Sequence, residues 1–157
     1  MSQMMSFAPM DADVEPAPSG TAAAVTLKRL GQRPLVFDGV ELCMAMSYVP
    51  GAPMWFEINV FRTGAGAFVL CVKHFHRDED ERDISRAWEC PDFETVMTTL
   101  ETYDPAHDLR ADVDVETAGM APGDLAAKAL AIRAQLGEAR RQYASLVGEI
   151  LHDLDQG

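Results

Sequence analysis

The chain has 157 residues, of which 48% are hydrophobic, and it carries a formal net charge of −12. That length fits one domain with appended segments, and the hydrophobic share argues against a wholly disordered chain. The negative charge repels DNA, RNA and anionic lipid, so we predict no direct contact with nucleic acid or membranes. No run of about 18 apolar residues is present, so we predict no membrane-spanning helix.

The first segment, residues 1–24, is rich in Met, Ala, Pro and Ser and has no apolar periodicity. We predict that it forms a flexible tail ahead of the folded domain. It lacks the basic start and apolar centre that are typical of a signal peptide.

The three cysteines, Cys43, Cys71 and Cys90, form no Cys-x-x-Cys pair and fall in apolar, strand-like runs. An odd number of cysteines in such runs is typical of reduced, buried thiols. We therefore predict a cytoplasmic protein without a disulfide framework.

Strand patterns begin at Pro34, and the dipeptide Asp38-Gly39 predicts a tight turn between two strands. From Val40 to Tyr48 apolar and smaller or polar residues alternate, which predicts a half-buried strand. We expect Met44, Met46 and the nearby Met54 to fill the core, with an adaptable binding surface as the alternative.

The clearest pattern is a hairpin formed by residues 54–62 and 68–76. A three-residue Gly-Ala-Gly loop, with its last glycine in the left-handed region, would pair Val60 with Leu70 and Ile58 with Val72. That register places the larger aliphatic side chains on one face, so we prefer it to a two-residue loop.

Another strand is predicted over residues 84–90, followed by a helix with Asp92 as its N-cap and Asp104-Pro105 at its end. The order of elements predicts an α+β fold, in which an antiparallel meander of about four strands carries a helix on one face. We assign this sheet domain to residues 25–104.

Residues 105–123 form an acidic linker, in which 112–116 alternate as an edge strand would. The wider stretch 91–120 has eight acidic residues against the single Arg110. We interpret these carboxylates as solubilising. The alternative is an acidic inhibitor or regulator that occupies a basic, nucleic-acid-binding surface of another protein.

The last segment, residues 124–155, predicts one long amphipathic helix, because it contains no proline and its apolar positions repeat in steps of four and three. About 30 helical residues span ~45 Å, which is longer than a small sheet can cover. We therefore predict contact with another protein or with a second copy of the chain. The alternative is an ordinary amphipathic helix that packs on its own sheet, with a fortuitous heptad spacing. The predicted contact residues are Leu125, Ile132, Leu136, Tyr143, Leu146 and Ile150.

His74 and His76 lie on one side of a strand and precede an acidic run, which suits zinc or iron. The sequence fixes no third ligand, and Arg77 opposes a cation. We therefore assign no metal, cofactor or catalytic residue, and keep a metal-dependent enzyme using these histidines as an alternative.

An apolar patch is also predicted on the far face of the sheet, from Trp55, Phe61 and Phe75. The C-terminal helix or a partner would cover it. Together with the long helix, this patch predicts a non-enzymatic interaction or assembly protein, such as an adaptor or accessory subunit.

Overall fold

The computed structural model describes residues 22–109 and 119–156. It contains five strands and two main helices, with a short helical turn at 105–109. The elements are β1 Ala23–Arg29, β2 Gln32–Met46, β3 Met54–Thr63, β4 Phe68–His76, β5 Ile84–Cys90, α1 Phe93–Thr102 and α2 Pro122–Gln156. The strands form one antiparallel sheet in the order β1-β2-β3-β4-β5. The predicted α+β class is confirmed.

The sheet has five strands where about four were predicted. β1 precedes the first expected strand, and the two segments predicted on either side of Asp38-Gly39 form the single strand β2. β1 begins at Ala23, two residues before the predicted start of the sheet domain at residue 25. The rest of that tail, residues 1–21, lies outside the described residues.

The turn predicted at Asp38-Gly39 is wrong, because β2 runs through both residues without a break. The packing around Gly39 explains why glycine occupies this position. A Cβ atom at this position would lie 2.8 Å from the carbonyl oxygen of Arg62 and 2.8 Å from the ring of Phe37. The lack of a side chain at Gly39 therefore allows the backbones of β2 and β3 to approach each other closely, which is a common role of glycine inside a strand.

The β3–β4 hairpin has the predicted register, with Ile58 opposite Val72 and Val60 opposite Leu70. Gly66 has a φ of 88°, in the region that favours glycine. The backbone N–H of Thr63 donates to the carbonyl oxygen of Ala67 at 2.8 Å, which closes the three-residue loop.

The main core lies between the sheet and both helices. It is formed by the helix-facing side chains of β2 to β5 and by one face of each helix. Its fully buried members include Phe56, Ile58, Leu70, Leu100, Leu146 and Ile150. Both helices therefore cover the same face of the sheet.

A second core cluster lies on the opposite face, where the sheet curls. The backbone N–H of Leu30 donates to the carbonyl oxygen of Ser85 at 2.8 Å, and Ser85 Oγ donates to the carbonyl oxygen of Lys28 at 2.8 Å. These bonds bring the end of β1 against β5. The curl encloses Leu27, Leu35, Phe61, Val69, Cys71 and Ala87.

The helix ends follow the capping chemistry of their first residues. Asp92 caps α1, accepting a 2.8 Å hydrogen bond from the backbone N–H of Thr95, as predicted. α2 begins at Pro122, two residues before the predicted start, because proline suits the first helical position. The predicted linker 105–123 contains the helical turn at 105–109, and its possible edge strand at 112–116 lies outside the described residues.

Candidate functional site

The six predicted contact residues of α2 divide into two groups. Tyr143, Leu146 and Ile150 are buried in the chain's own core, and Leu136 packs against its edge. Leu125 is 40% exposed, and Ile132 is half-buried. The structure therefore leaves only the first half of the predicted seam accessible.

Polar contacts hold the second half of α2 on the sheet domain. Arg140 donates two hydrogen bonds to the carboxylate of Asp104, at 3.1 and 2.9 Å. Ser47 Oγ donates to Gln142 Oε1 at 3.0 Å, beyond the end of β2. Tyr143 lies next to these contacts and is 5% exposed, so a charged residue at this position should destabilise the folded domain itself.

The first half of α2, residues 122–135, is exposed except at the half-buried Lys128 and Ile132. Leu130 is 69% exposed and lies on another side of the helix from Leu125. The half-helix carries both acidic and basic residues, so its surface is close to neutral within a strongly acidic chain.

A second accessible apolar surface lies on the sheet face opposite the helices, and we name it the aromatic patch. Tyr48 and Trp55 make an edge contact with ring centroids 4.9 Å apart, and Trp55 stacks on Phe75 at 5.8 Å. Met44 and Met46 continue the same face along β2, and Leu42, at the irregularity between Glu41 and Cys43, is also exposed. Phe61, predicted to join this patch, packs against Phe37 in the second core cluster instead.

The exposure of this patch corrects two expectations. Met44 is 49% exposed and Met46 is 43% exposed, so these methionines do not fill the core. Ala45 and the half-buried Cys43 point toward the helices instead. The C-terminal helix does not cover the patch, because it lies on the other face of the sheet.

Much of the acidic stretch has internal partners. Asp92 caps α1, Asp104 pairs with Arg140, and Asp108 accepts two hydrogen bonds from Arg86, at 3.1 and 2.6 Å. Tyr103 Oη also donates to Asp108 at 2.7 Å. Burial alone raises the pKa of Asp108, but the hydrogen bonds from Arg86 and Tyr103 outweigh it, so the pKa is lowered.

Two other acidic side chains of the stretch, Glu94 and Glu101, are exposed. The last three, Asp112, Asp114 and Glu116, lie outside the described residues. Of the five described carboxylates, three therefore have structural roles: one caps α1, one binds α2 and one joins the turn at 105–109 to β5.

No protein-family model, curated protein or solved structure matches this chain. Among the described residues, no helix combines the length and the apolar character needed to cross a lipid bilayer.

The two candidate metal ligands, His74 and His76, lie close together on the helix-facing side of β4. Their ring centroids are 4.5 Å apart, and His74 also stacks on Phe56 at 4.4 Å. Burial, followed by the neighbouring His76, lowers the pKa of His74 to about 4, so its imidazole is neutral at pH 7. Within residues 22–109 and 119–156, no three His, Cys, Asp or Glu side chains form a metal-binding group.

The three cysteines are free. Cys43 and Cys71 lie in different core clusters on opposite faces of the sheet, so no bridge joins them. Burial, with the charges of Asp153 and Glu41, raises the pKa of Cys43 to about 11. Burial also raises the pKa values of Cys71 and Cys90, so none of the thiols is a ready nucleophile at neutral pH.

Proposed function

We propose that this chain is a non-enzymatic interaction or assembly protein that binds a second copy or a partner through the first half of α2. The observation that supports this proposal is a single apolar stripe along α2. Its second half, at Ala139, Tyr143, Leu146 and Ile150, is buried against the sheet. The stripe continues without interruption into the accessible residues Leu125, Ala129 and Ile132.

The spacing of the stripe suits another helix. Steps of four and three residues keep the apolar side chains on one face over many turns, as in helix–helix seams. α2 has 35 residues and is about 52 Å long, whereas the packed part from 136 to 154 covers about 28 Å. Burying each large apolar side chain of the remaining part contributes about 1.5–3 kcal/mol.

The charge around the stripe also favours association. The exposed half-helix has one acidic residue, Asp124, and two basic residues, Lys128 and Arg133, so it does not share the acidic excess of the chain. The acidic residues that give the net charge of −12 lie mostly outside this half-helix, so salt screens their repulsion of a second copy or partner. We expect binding through this surface to depend little on ionic strength.

The aromatic patch and the cysteines agree with the same proposal. An exposed apolar surface on a folded domain is typical of a contact site. The raised pKa values of the thiols argue against a cysteine nucleophile, and free thiols suit a cytoplasmic protein. The alternative of an acidic regulator has less support, because Asp92, Asp104 and Asp108 have partners within the chain.

The test uses two variants of the full chain. Leu125→Glu combined with Ile132→Glu places charges on the stripe, and Leu130→Glu places a charge on another, more exposed side of the same half-helix. We expect light scattering or capture from the native source to show a complex with the unmodified chain and with Leu130→Glu. The double variant should lose it. A complex that all three proteins form equally, or none at all, would remove the proposal.

A further inference from the structure

The second half of β2 is an open edge of the sheet. β1 pairs with residues 32–39 of β2, and among the described residues no strand pairs with the same side of residues 40–46. An exposed strand edge offers a row of N–H and C=O groups to another strand. Proteins commonly protect such an edge with proline or lysine, and residues 40–46 contain neither.

The register with β3 shows which backbone groups face outward. The backbone N–H of Ser47, just beyond the end of β2, donates to the carbonyl oxygen of Phe56 at 2.9 Å. Bonds to a neighbouring antiparallel strand come from alternate residues, so the N–H and C=O groups of Met44 and Met46 point away from β3. Two donors and two acceptors at this edge therefore have no strand partner within the described part of the chain.

The packed half of α2 runs along this edge on the other face of the sheet. Ser47 Oγ donates to Gln142 Oε1 at 3.0 Å, and the negative charge of Asp153, further along the helix, contributes to the raised pKa of Cys43. A groove of about 480 Å³ lies between α2 and the end of β2. Its helix side is lined by Glu138, Arg141, Gln142, Ser145 and Glu149.

The charges on the helix side of this edge are mostly negative. Glu149 and Asp153 are exposed and lie one helical turn apart. The one basic side chain that lines the groove, Arg141, is paired with Glu138 at 2.8 Å. A second copy would bring the same negative charges to this edge and be repelled, whereas lysine or arginine side chains of another protein would be attracted.

We propose that the open edge of β2 binds an extended, basic segment of a partner protein as an added strand. Its backbone bonds to Met44 and Met46, antiparallel to β2 as in the rest of the sheet. Successive side chains of a strand point to opposite faces. Basic side chains of the segment therefore face Glu149 and Asp153, and the apolar side chains between them pack on the exposed Met44 and Met46.

This surface lies apart from the first half of α2, so the inference goes beyond the function proposed above and does not depend on it. In strand addition the main-chain bonds supply affinity, and the alternating side chains supply specificity. The structure offers both features at the same edge.

The test measures backbone amide hydrogen exchange of the full chain by NMR. The probe is a capped seven-residue peptide that alternates lysine and valine. In the free chain the amides of Met44 and Met46 should exchange faster than those of Cys43 and Ala45, which face β3. Because a paired amide exchanges only while the peptide is dissociated, about 90% saturation should slow the exchange of Met44 and Met46 about tenfold.

A second peptide separates strand addition from simple attraction of charges. In an antiparallel pair the valine nitrogens of the peptide face Met44 and Met46, because directly opposed residues share a face. Methylation of these nitrogens keeps the charge of the peptide and removes its donors. The methylated peptide should therefore give no protection.

Charge variants separate the groove from the net charge of the chain. Glu149→Lys with Asp153→Lys reverses two exposed charges beside the edge. Glu94→Lys with Glu101→Lys makes the same change in net charge on α1, which lies over β4 and β5. An exposed ion pair changes an affinity by up to about fivefold, so the first double variant should bind the lysine peptide about tenfold more weakly. The second should bind it nearly as the unmodified chain does.

Several outcomes overturn the proposal. Slow exchange of Met44 and Met46 in the free chain would mean that the chain itself or a second copy already covers the edge. Absence of protection by the lysine peptide also overturns it. So does equal protection by the methylated peptide or by a peptide that alternates glutamate and valine, or an equal loss of binding in the two double variants.

Discussion

Tyr143 Oη donates a 2.7 Å hydrogen bond to the carbonyl oxygen of Leu100, and this bond joins the middle of α2 to the last turn of α1. The tyrosine ring also contacts Tyr103 and Phe56, with centroids 5.6 and 6.0 Å away. The carbonyl groups of a helix's last turn have no partner within the helix. Tyr143 therefore satisfies one of them and fixes where α2 crosses α1.

Removing this hydroxyl should weaken the fold without changing its shape. Tyr143→Phe keeps the ring contacts but leaves the buried carbonyl oxygen of Leu100 unpaired, so we expect a loss of about 1 kcal/mol in the free energy of unfolding. Urea denaturation measures the change. Tyr48→Phe is the control, because Tyr48 is exposed in the aromatic patch. An equal effect from both variants would contradict the role given to the bond.

The contact between Arg86 and Asp108 should stabilise the end of the sheet domain. Asp108→Asn keeps the size of the side chain but removes the charge that accepts from Arg86 and Tyr103. Hydrogen bonds to charged groups are stronger than neutral ones, so we expect a loss of about 2 kcal/mol at pH 7. Glu94→Gln, at an exposed carboxylate, should change the free energy of unfolding by less than about 0.5 kcal/mol.

The effect of Asp108→Asn should also depend on pH. The folded chain holds the pKa of Asp108 below its ordinary value, so the carboxylate stabilises the fold fully above the unfolded pKa, near 4. This contribution is lost as the pH falls through the lower, folded pKa. The difference between the unmodified chain and Asp108→Asn should therefore shrink from pH 5 toward pH 2. A constant difference over that range would exclude this linkage.

The close approach of β2 and β3 at Gly39 is open to a direct test. Gly39→Ala places a Cβ atom 2.8 Å from the carbonyl oxygen of Arg62, and the neighbouring strand must move. We expect the free energy of unfolding to fall by about 1–3 kcal/mol, as overpacking usually costs. Gly64→Ala, whose nearest contact is 4.0 Å, should have little effect. Thermal unfolding of both variants distinguishes a packing role from a turn role.

The division of α2 into a packed and an accessible half predicts unequal effects of similar substitutions. Leu146 is 1% exposed, so Leu146→Ala should destabilise the chain by about 2–5 kcal/mol. Leu130 is 69% exposed, and Leu130→Ala should change the free energy of unfolding by less than about 0.5 kcal/mol. Chemical denaturation of both variants measures the contrast. A large effect at Leu130 would mean that the first half also packs within the chain.

Local chemistry made several features predictable. The alternation of side chains and the Gly-Ala-Gly loop gave the register of β3 and β4, because a shift by one residue would expose the aliphatic face. Asp92 was recognisable as an N-cap from its position before the apolar repeat. These features depend on residues that are close in the chain or paired across one turn.

The exposed face of β2 was not predictable in the same way. Alternation separates Leu42, Met44 and Met46 from Cys43 and Ala45, but it does not say which side a distant helix covers. α2 packs on the side of Cys43 and Ala45, where small side chains allow a helix to approach the sheet closely. The face of β2 that carries the larger apolar residues is therefore the face that the helices leave exposed.

The candidate sites depend on the same long-range contacts. The apolar repeat identified α2 as amphipathic, but how much of it the sheet covers is set by contacts such as Arg140 with Asp104, which are 36 residues apart. The open edge of β2 arises because β1 pairs only with residues 32–39 of this long strand. Alternation along β2 does not show where a neighbouring strand begins or ends, so the sequence did not reveal this edge.

The continuity of α2 has a mechanical consequence. The helix runs from Pro122 to Gln156 with no proline after its first residue, so it is continuous, and only its second half is packed on the domain. Arg140 and Tyr143 lie in the packed part of α2, where they bond to Asp104 and Leu100. A load applied near Leu125 acts on these bonds with the leverage of about 22 Å of helix. Tilting the accessible end would therefore load the hydrogen bonds that join α2 to Asp104 and to the last turn of α1.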